Sequence, residues 1–261
     1  MFVDSHAHID GPEYDTDRDE VIARAREAGV QKILNVGTGD PQSGAFERAV
    51  LLAESQEHVY AAVGVHPHDA KLYDDASENR IKDLIRKSSR VIAWGEIGLD
   101  FHYDNSPRDT QREVFRRQLR AARDYLPVIV HTRDADDETI EILQAEYSGA
   151  VRGGVMHCFG GSLELARAAM DLGFLISFSG NLTFKKAQDI RDVARQVPLE
   201  RLLIETDCPY LSPVPFRGRR NEPARVVEVA RCLADLHDVS LEEIGRATTA
   251  NFTSIFQLDS I

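Results

Sequence analysis

The chain has 261 residues, of which 43% are hydrophobic and 28% charged, a mix that excludes a disordered polymer and suits one or two globular domains. Thirty-one Lys and Arg against 43 Asp and Glu leave a net charge of −12, which excludes a protein that wraps nucleic acid by bulk attraction. Three cysteines without a Cys-x-x-Cys pair argue against a disulfide scaffold or a cysteine zinc site, and so for a reducing, cytoplasmic location.

Short apolar runs rich in Val, Ile, Leu and Phe begin near Phe2, Lys32, Val59, Val91, Val128, Val151, Phe174 and Leu202. They recur at intervals of roughly 30 residues, without strict polar alternation, as strands buried on both faces do. Helical stretches separate them. Thr16 to Ala28 ends at Gly29, Arg108 to Tyr125 carries Val114, Leu119 and Ala122 among charges, and Ser162 to Leu172 starts on a capping serine and ends at Gly173. Eight strand–helix units make the arithmetic of a (β/α)8 TIM barrel occupying residues 1–261 as a single domain; a doubly wound open sheet is the alternative. No apolar run approaches a membrane span, and MFVDSHAHID has neither a basic stretch nor an apolar core, so neither membrane insertion nor a secretory signal is expected. Gly37-Thr38-Gly39 lacks the third glycine of a dinucleotide fingerprint and reads as a turn.

The chemistry-bearing residues fall where strands end. His6 and His8 close the first strand, His66 the third, His131 the fifth and His157 the sixth. Glu96 is expected just past the fourth strand and Asp207 just past the eighth. In a barrel these ends share one rim, so residues some 200 positions apart become neighbours. Histidines two apart on an extended strand share a face and can grip one ion. A lone histidine after an apolar run is ordinarily a hydrogen-bonding core residue, and a carboxylate there is costly unless paired or metal-bound. Six nitrogen and oxygen donors on five strand ends point instead to two divalent metal ions of the magnesium, manganese or zinc type.

The sequence resembles the TatD family of metal-dependent deoxyribonucleases, within the amidohydrolase-like barrels. The motifs that carry the resemblance are DSHAHID at the start, VGVHPH at 63–68, GEIGLDF at 95–101, VIVHTRDA at 128–135, MHCFGG at 156–161, ETDCPYL at 205–211 and RGRRNEP at 217–223. The resemblance implies hydrolysis of DNA phosphodiesters, often from the 3′ end. It implies one ion on His6, His8 and Asp207, and Glu96 bridging to a second ion on His131 and His157. It places His66 at the mouth, as a substrate or proton-relay residue. Asp207 is expected to accept the proton of the attacking water.

Arg133 is expected to clamp a phosphate, a salt bridge to Asp134 or Asp136 being the alternative. Arg217, Arg219 and Arg220, with Asn221 capping the next helix, form a candidate anion site that would offset the acidic charge around a single-stranded DNA end. Glu205 shares a strand face with Asp207 and is expected to support the site. Cys158 and Cys208 should point away from the ligands as small core residues, and Trp94 should pack the barrel. None of the six lysines ends the fourth strand, which argues against a carboxylated lysine as the bridge. The competing functions are hydrolysis of a small amide, lactone or phosphoester, and a non-enzymatic scaffold. A monomer is expected.

Overall fold

Strands and helices alternate as the apolar runs require in the computed structural model, which describes residues 1–258. The strands are β1 Phe2–Ala7, β2 Val30–Thr38, β3 Val59–Gly64, β4 Val91–Asp100, β5 Val128–Arg133, β6 Gly154–Met156, β7 Leu175–Phe178 and β8 Leu202–Ile204. The helices are α1 Arg18–Glu27, α2 Ala45–Ser55, α3 Asp75–Lys87, α4 Arg108–Ala122, α5 Asp136–Tyr147, α6 Leu163–Asp171, α7 Gln188–Ala194, α8 Val226–His237 and α9 Leu241–Ile255. All strand pairs from β1 to β8 are parallel and follow chain order, giving a (β/α)8 TIM barrel rather than an open doubly wound sheet. Ser162 caps α6 as expected, its hydroxyl accepting from Leu165 N–H at 3.2 Å. Among the described residues no helix is long and apolar enough to cross a membrane.

The seam between β8 and β1 is tied at the carboxyl rim by the segments that carry candidate ligands. Asp207 N–H donates to His6 O and His8 N–H to Cys208 O, each at 2.9 Å. Below them the buried Asp4 carboxylate accepts the backbone N–H of Thr206 at 2.9 Å and its hydroxyl at 2.5 Å. Barrel closure thus fixes the HAH segment against the ETD segment, two stretches about 200 residues apart.

Inside the barrel each strand sends apolar side chains to one cluster, among them Val3, Leu34, Ala62, Ile129, Val155 and Leu203, and Phe252 and Phe256 of α9 pack onto it. The strand period of two then sets the rim. Two residues beyond Ile129 stands His131, two beyond Val155 stands His157, and two beyond Leu203 stands Glu205. His131 and His157 thus occupy the next inward positions above an apolar floor, with Glu205 at the same level. Trp94 faces the other way as expected, fully buried, its indole N–H donating to Gln118 of α4 at 3.2 Å.

Two expectations shift. The sixth strand starts at Gly154, not at Val151, which is 75% exposed. Side chains at the intervening glycines would meet backbone: a Cβ on Gly153 would lie 2.0 Å from Gly173 O, and one on Gly154 2.6 Å from Val128 O. The fourth strand runs ten residues, so Glu96 lies inside β4 and not past its end. The extra length depends on Gly98, at φ +142°, where a Cβ would fall 1.9 Å from His131 O. Gly98→Ala is expected to cost ~3 kcal/mol or more, through overpacking and backbone strain together. A denaturant midpoint shift in the metal-free protein measures it, and a wild-type midpoint would remove the argument.

Candidate metal centre

Glu96 is 4% exposed and stands at the middle of the rim. Its two oxygens face different partners. Oε2 lies 3.5 Å from His6 Nε2. Oε1 lies 2.9 Å from His131 Nδ1, 3.3 Å from His157 Nε2 and 3.4 Å from His66 Nε2. On the Oε2 side, His6 Nε2 and His8 Nε2 approach to 3.1 Å, and Asp207 Oδ1 stands 3.5 Å from His8 and 4.0 Å from His6. The rings of His6 and His157 stack at 3.6 Å between centroids. All six residues expected to hold metal are therefore gathered, in two groups sharing one carboxylate.

Hydrogen bonds at the far side of each ring decide where its lone pair points. His8 Nδ1 lies 2.8 Å from Val36 O, which can only accept, so the Nδ1 proton is fixed there and Nε2 turns its lone pair to the site. His131 Nε2 sits 3.2 Å from Asp100 Oδ2, leaving Nδ1 for Glu96. Burial opposes ionisation of Asp100, but bonds from His131, Tyr103 N–H and His68 outweigh it and hold the carboxyl well below its usual range. His157 Nδ1 lies 2.8 Å from Glu205 Oε1 without hydrogen-bond alignment, and the same oxygen accepts Cys158 N–H at 2.8 Å. Glu205 thus supports the site as expected, from beneath His157.

Lone pairs of neutral imidazoles aimed at carboxylates repel unless a positive charge lies between. A proton or a metal ion can supply that charge. Burial disfavours charge on His8, yet Asp207 and Glu96 hold it up at about 9; Glu205 and Glu96 hold His157 up at about 10 against the same burial. Among the described residues, buried His6 Nδ1 finds no hydrogen-bond partner. Imidazole nitrogens and carboxylate oxygens within 4.8 Å of one another, as in His6, His8 and Glu96, form a donor set that zinc, manganese or similar ions fit.

His66 differs from the others. Its Nδ1 accepts His68 N–H at 3.1 Å, so its own proton sits on Nε2 and points at the centre. Burial pushes its pKa down to about 4 despite the attraction of Glu96, leaving a neutral ring that donates. That places it as a hydrogen-bond donor at the mouth rather than a ligand.

The expected substrate contacts divide. Arg133 is exposed and lines the cavity over the centre, its guanidinium 4.8 Å from the Tyr103 ring; Asp134 instead meets His102 and Asp136 accepts Ser162 N–H. Arg217 and Arg219 are exposed but do not line that cavity. Arg217 stacks on Phe184 at 3.7 Å, and Arg220 is held by Asp17 and the Tyr14 ring. The anion site read from RGRR is therefore corrected: intramolecular stacking and ion pairing occupy two of its three arginines. Asn221 is corrected too. It is fully buried, caps no helix, and donates to Thr206 O at 2.9 Å and Tyr210 O at 2.7 Å, pinning the loop that carries Asp207.

Sequence reading missed four residues. Asp100 and His68 orient His131; their partners lie some 30 positions away, and nothing local signals the contact. Arg48 of α2 supplies the cavity with a cation besides Arg133, and sits 3.9 Å from Asp10. Cys158 was expected to point away, yet its φ of +44° breaks the strand alternation and brings Sγ into a group with His157 and Asp207. Burial and the neighbouring carboxylates push its thiol well above the usual range, which disfavours the thiolate that a nucleophile needs. Cys208 does pack in the core, as expected.

A parallel barrel whose carboxyl rim turns imidazole lone pairs and carboxylates onto one centre is the architecture of a metal-dependent hydrolase. Comparison with known proteins agrees. A model of the family described as TatD related DNase matches residues 3–257. A Bacillus subtilis protein described as the uncharacterized metal-dependent hydrolase YabD is 45% identical over 260 residues, spanning 99% of this chain and 100% of that one. The Escherichia coli K12 protein described as the uncharacterized metal-dependent hydrolase YcfH is 43% identical, spanning 100% of this chain and 97% of its own. The crystal structure of YjjV, a TatD homolog from Escherichia coli K12, matches with a TM-score of 0.91 at 34% identity over 99% of this chain and 98% of that one. The chain belongs to the TatD family of metal-dependent hydrolases.

Proposed function

We propose that this chain hydrolyses DNA phosphodiester bonds as a 3′-to-5′ exodeoxyribonuclease on single-stranded ends, with two divalent ions held by His6, His8, Glu96, His131, His157 and Asp207. The observation that carries the reading is the Glu96 carboxylate divided between two donor groups. The family description, TatD related DNase, supplies the substrate class. When bound, the ions would acidify the attacking water and offset charge on the phosphate oxygens.

The chain's own groups do the rest. Asp207 Oδ1, beside His8, takes the proton of the attacking water. His66 presents its Nε2–H to a phosphate or leaving oxygen. Asp100 keeps His131 in the tautomer that faces Glu96. Arg133 and Arg48 line the cavity and offer a polyanion two local cations on an otherwise acidic protein. Its volume, about 1240 Å³, exceeds the ~300–1,000 Å³ of ordinary small-ligand sites and favours a strand over a small amide or lactone. The reading includes a monomer, and three free thiols favour a reducing, cytoplasmic setting.

Arg133→Ala is expected to raise KM for an oligonucleotide by about tenfold with a smaller change in kcat, the worth of a hydrogen bond to a charged group. An unchanged KM would take Arg133 out of substrate binding. The reading as a whole is tested by timed digestion of 3′-labelled and 5′-labelled oligonucleotides with Mg²⁺, Mn²⁺ or Zn²⁺. Release of labelled mononucleotide from the 3′ end at the earliest times is expected. No cleavage with any of the ions would move the assignment to small esters or amides.

A further inference from the structure

Eight large hydrophobic side chains are conspicuously exposed among the described residues, and of these only Tyr103 and Tyr210 line the cavity over the metal centre. They are 56% and 59% exposed. Their positions follow from the topology. Tyr103 lies three residues past the end of β4 and Tyr210 six past the end of β8. In a ring of eight strands in chain order, β4 and β8 are four apart and so face each other across the mouth. The loops that carry the two rings therefore leave opposite sides of the rim around the metal centre.

Both are braced. The Arg133 guanidinium stacks over Tyr103 at 4.8 Å, while the rings of His102 and His68 meet it edge-on at 4.8 and 5.5 Å. Tyr210 is held through its backbone, its N–H donating to Asp207 O at 3.0 Å and its carbonyl accepting from Asn221 at 2.7 Å; its ring meets the edge of His8 at 6.4 Å. An aromatic face held open to water in a fixed orientation loses little entropy when a second ring stacks on it.

We propose that Tyr103 and Tyr210 are nucleobase platforms on either side of the scissile phosphate, so that the enzyme takes an unpaired strand whose two flanking bases are splayed apart. The inference rests on the phosphodiesterase reading above and deepens it. A base paired in a duplex has its faces covered by its neighbours and cannot lie on either ring. Each base has a π-face, so this mode of binding tolerates any sequence. It also gives an acidic protein affinity for a polyanion without a basic surface. Exposure of both rings at one rim becomes visible only once β4 and β8 are set opposite.

The test uses the full chain loaded with its activating ion and a single-stranded oligonucleotide, intact or with one base deleted on a chosen side of the scissile bond. Tyr103→Ala and Tyr210→Ala are each expected to raise KM by about tenfold, the loss of one stacked base. Tyr103→Phe and Tyr210→Phe should recover most of that loss. Tyr125→Ala, at an equally exposed tyrosine outside the cavity, should match the unaltered enzyme. Deleting one flanking base should raise the wild-type KM by a similar factor and add little in the matching alanine variant, which assigns each base to its ring. Wild-type KM in both alanine variants, or losses that simply multiply with base deletion, would overturn the inference and leave the phosphodiesterase reading in place. Failure of the unaltered enzyme to cleave either oligonucleotide would overturn both.

Discussion

Glu96→Gln is expected to lower turnover by on the order of 10³-fold while leaving the barrel folded. Loss of a group that merely orients a metal ligand costs ~10–100-fold, and loss of a shared ligand should exceed that. Burial penalises the charge of Glu96, yet the surrounding histidines His157, His66, His131 and His6 hold its carboxyl well below the usual range. Glutamine keeps the shape and removes the charge. Its amide nitrogen must then face either His6 or the trio of His66, His131 and His157, and whichever side receives it loses an oxygen donor. The metal-free variant should stay close to wild-type stability, since the lost attraction is offset by the lost desolvation penalty of a buried carboxylate. The rise in melting temperature on adding ions should shrink, and metal analysis should fall from two ions per chain. Wild-type turnover with two ions retained would remove Glu96 as the bridge and the two-group description with it.

What the sequence revealed and what it hid follows from the physics of each residue. His6 and His8 were legible because a strand has a period of two, and His131 and His157 because each directly follows an apolar run. The depth of Glu96 inside β4 was not, because Gly98 lets that strand continue past the rim, and only its close approach to His131 O shows why. That continuation brings Asp100 to His131. Cys158 escaped because the rule of alternation fails at a left-handed residue, and nothing in MHCFGG announces one. The RGRR loop misled for the opposite reason. A run of arginines shows its charge in the sequence but not its partners, and here Phe184, Asp17 and Tyr14 consume two of the three. Arg48, isolated on α2, is the cation that the cavity receives instead.

The sharpest division of roles concerns Asp207. Asp207→Asn is expected to reduce kcat by ~10²–10⁴-fold, the span of a lost general base, with KM for the oligonucleotide changed far less. Folding should survive for two reasons. Asp207 has φ +53°, a left-handed conformation that asparagine adopts as readily as aspartate. The seam bond from Asp207 N–H to His6 O belongs to the backbone and is indifferent to the side chain. Asparagine keeps one oxygen toward His8 and so can still donate to a cation, but its amide cannot take a proton. Burial opposes the charge on Asp207, and bonding from His8 with the charges of His157 and His6 overcomes it, so the carboxylate is ionised and ready to accept at neutral pH. Metal content separates two ways of failing. Lost turnover with both ions still bound identifies Asp207 as the proton acceptor, whereas lost turnover with an ion missing makes it a ligand alone. Full turnover in the variant would transfer the proton to another group, and His66 cannot receive it, because its Nδ1 is engaged by His68 N–H and its Nε2 already carries a proton.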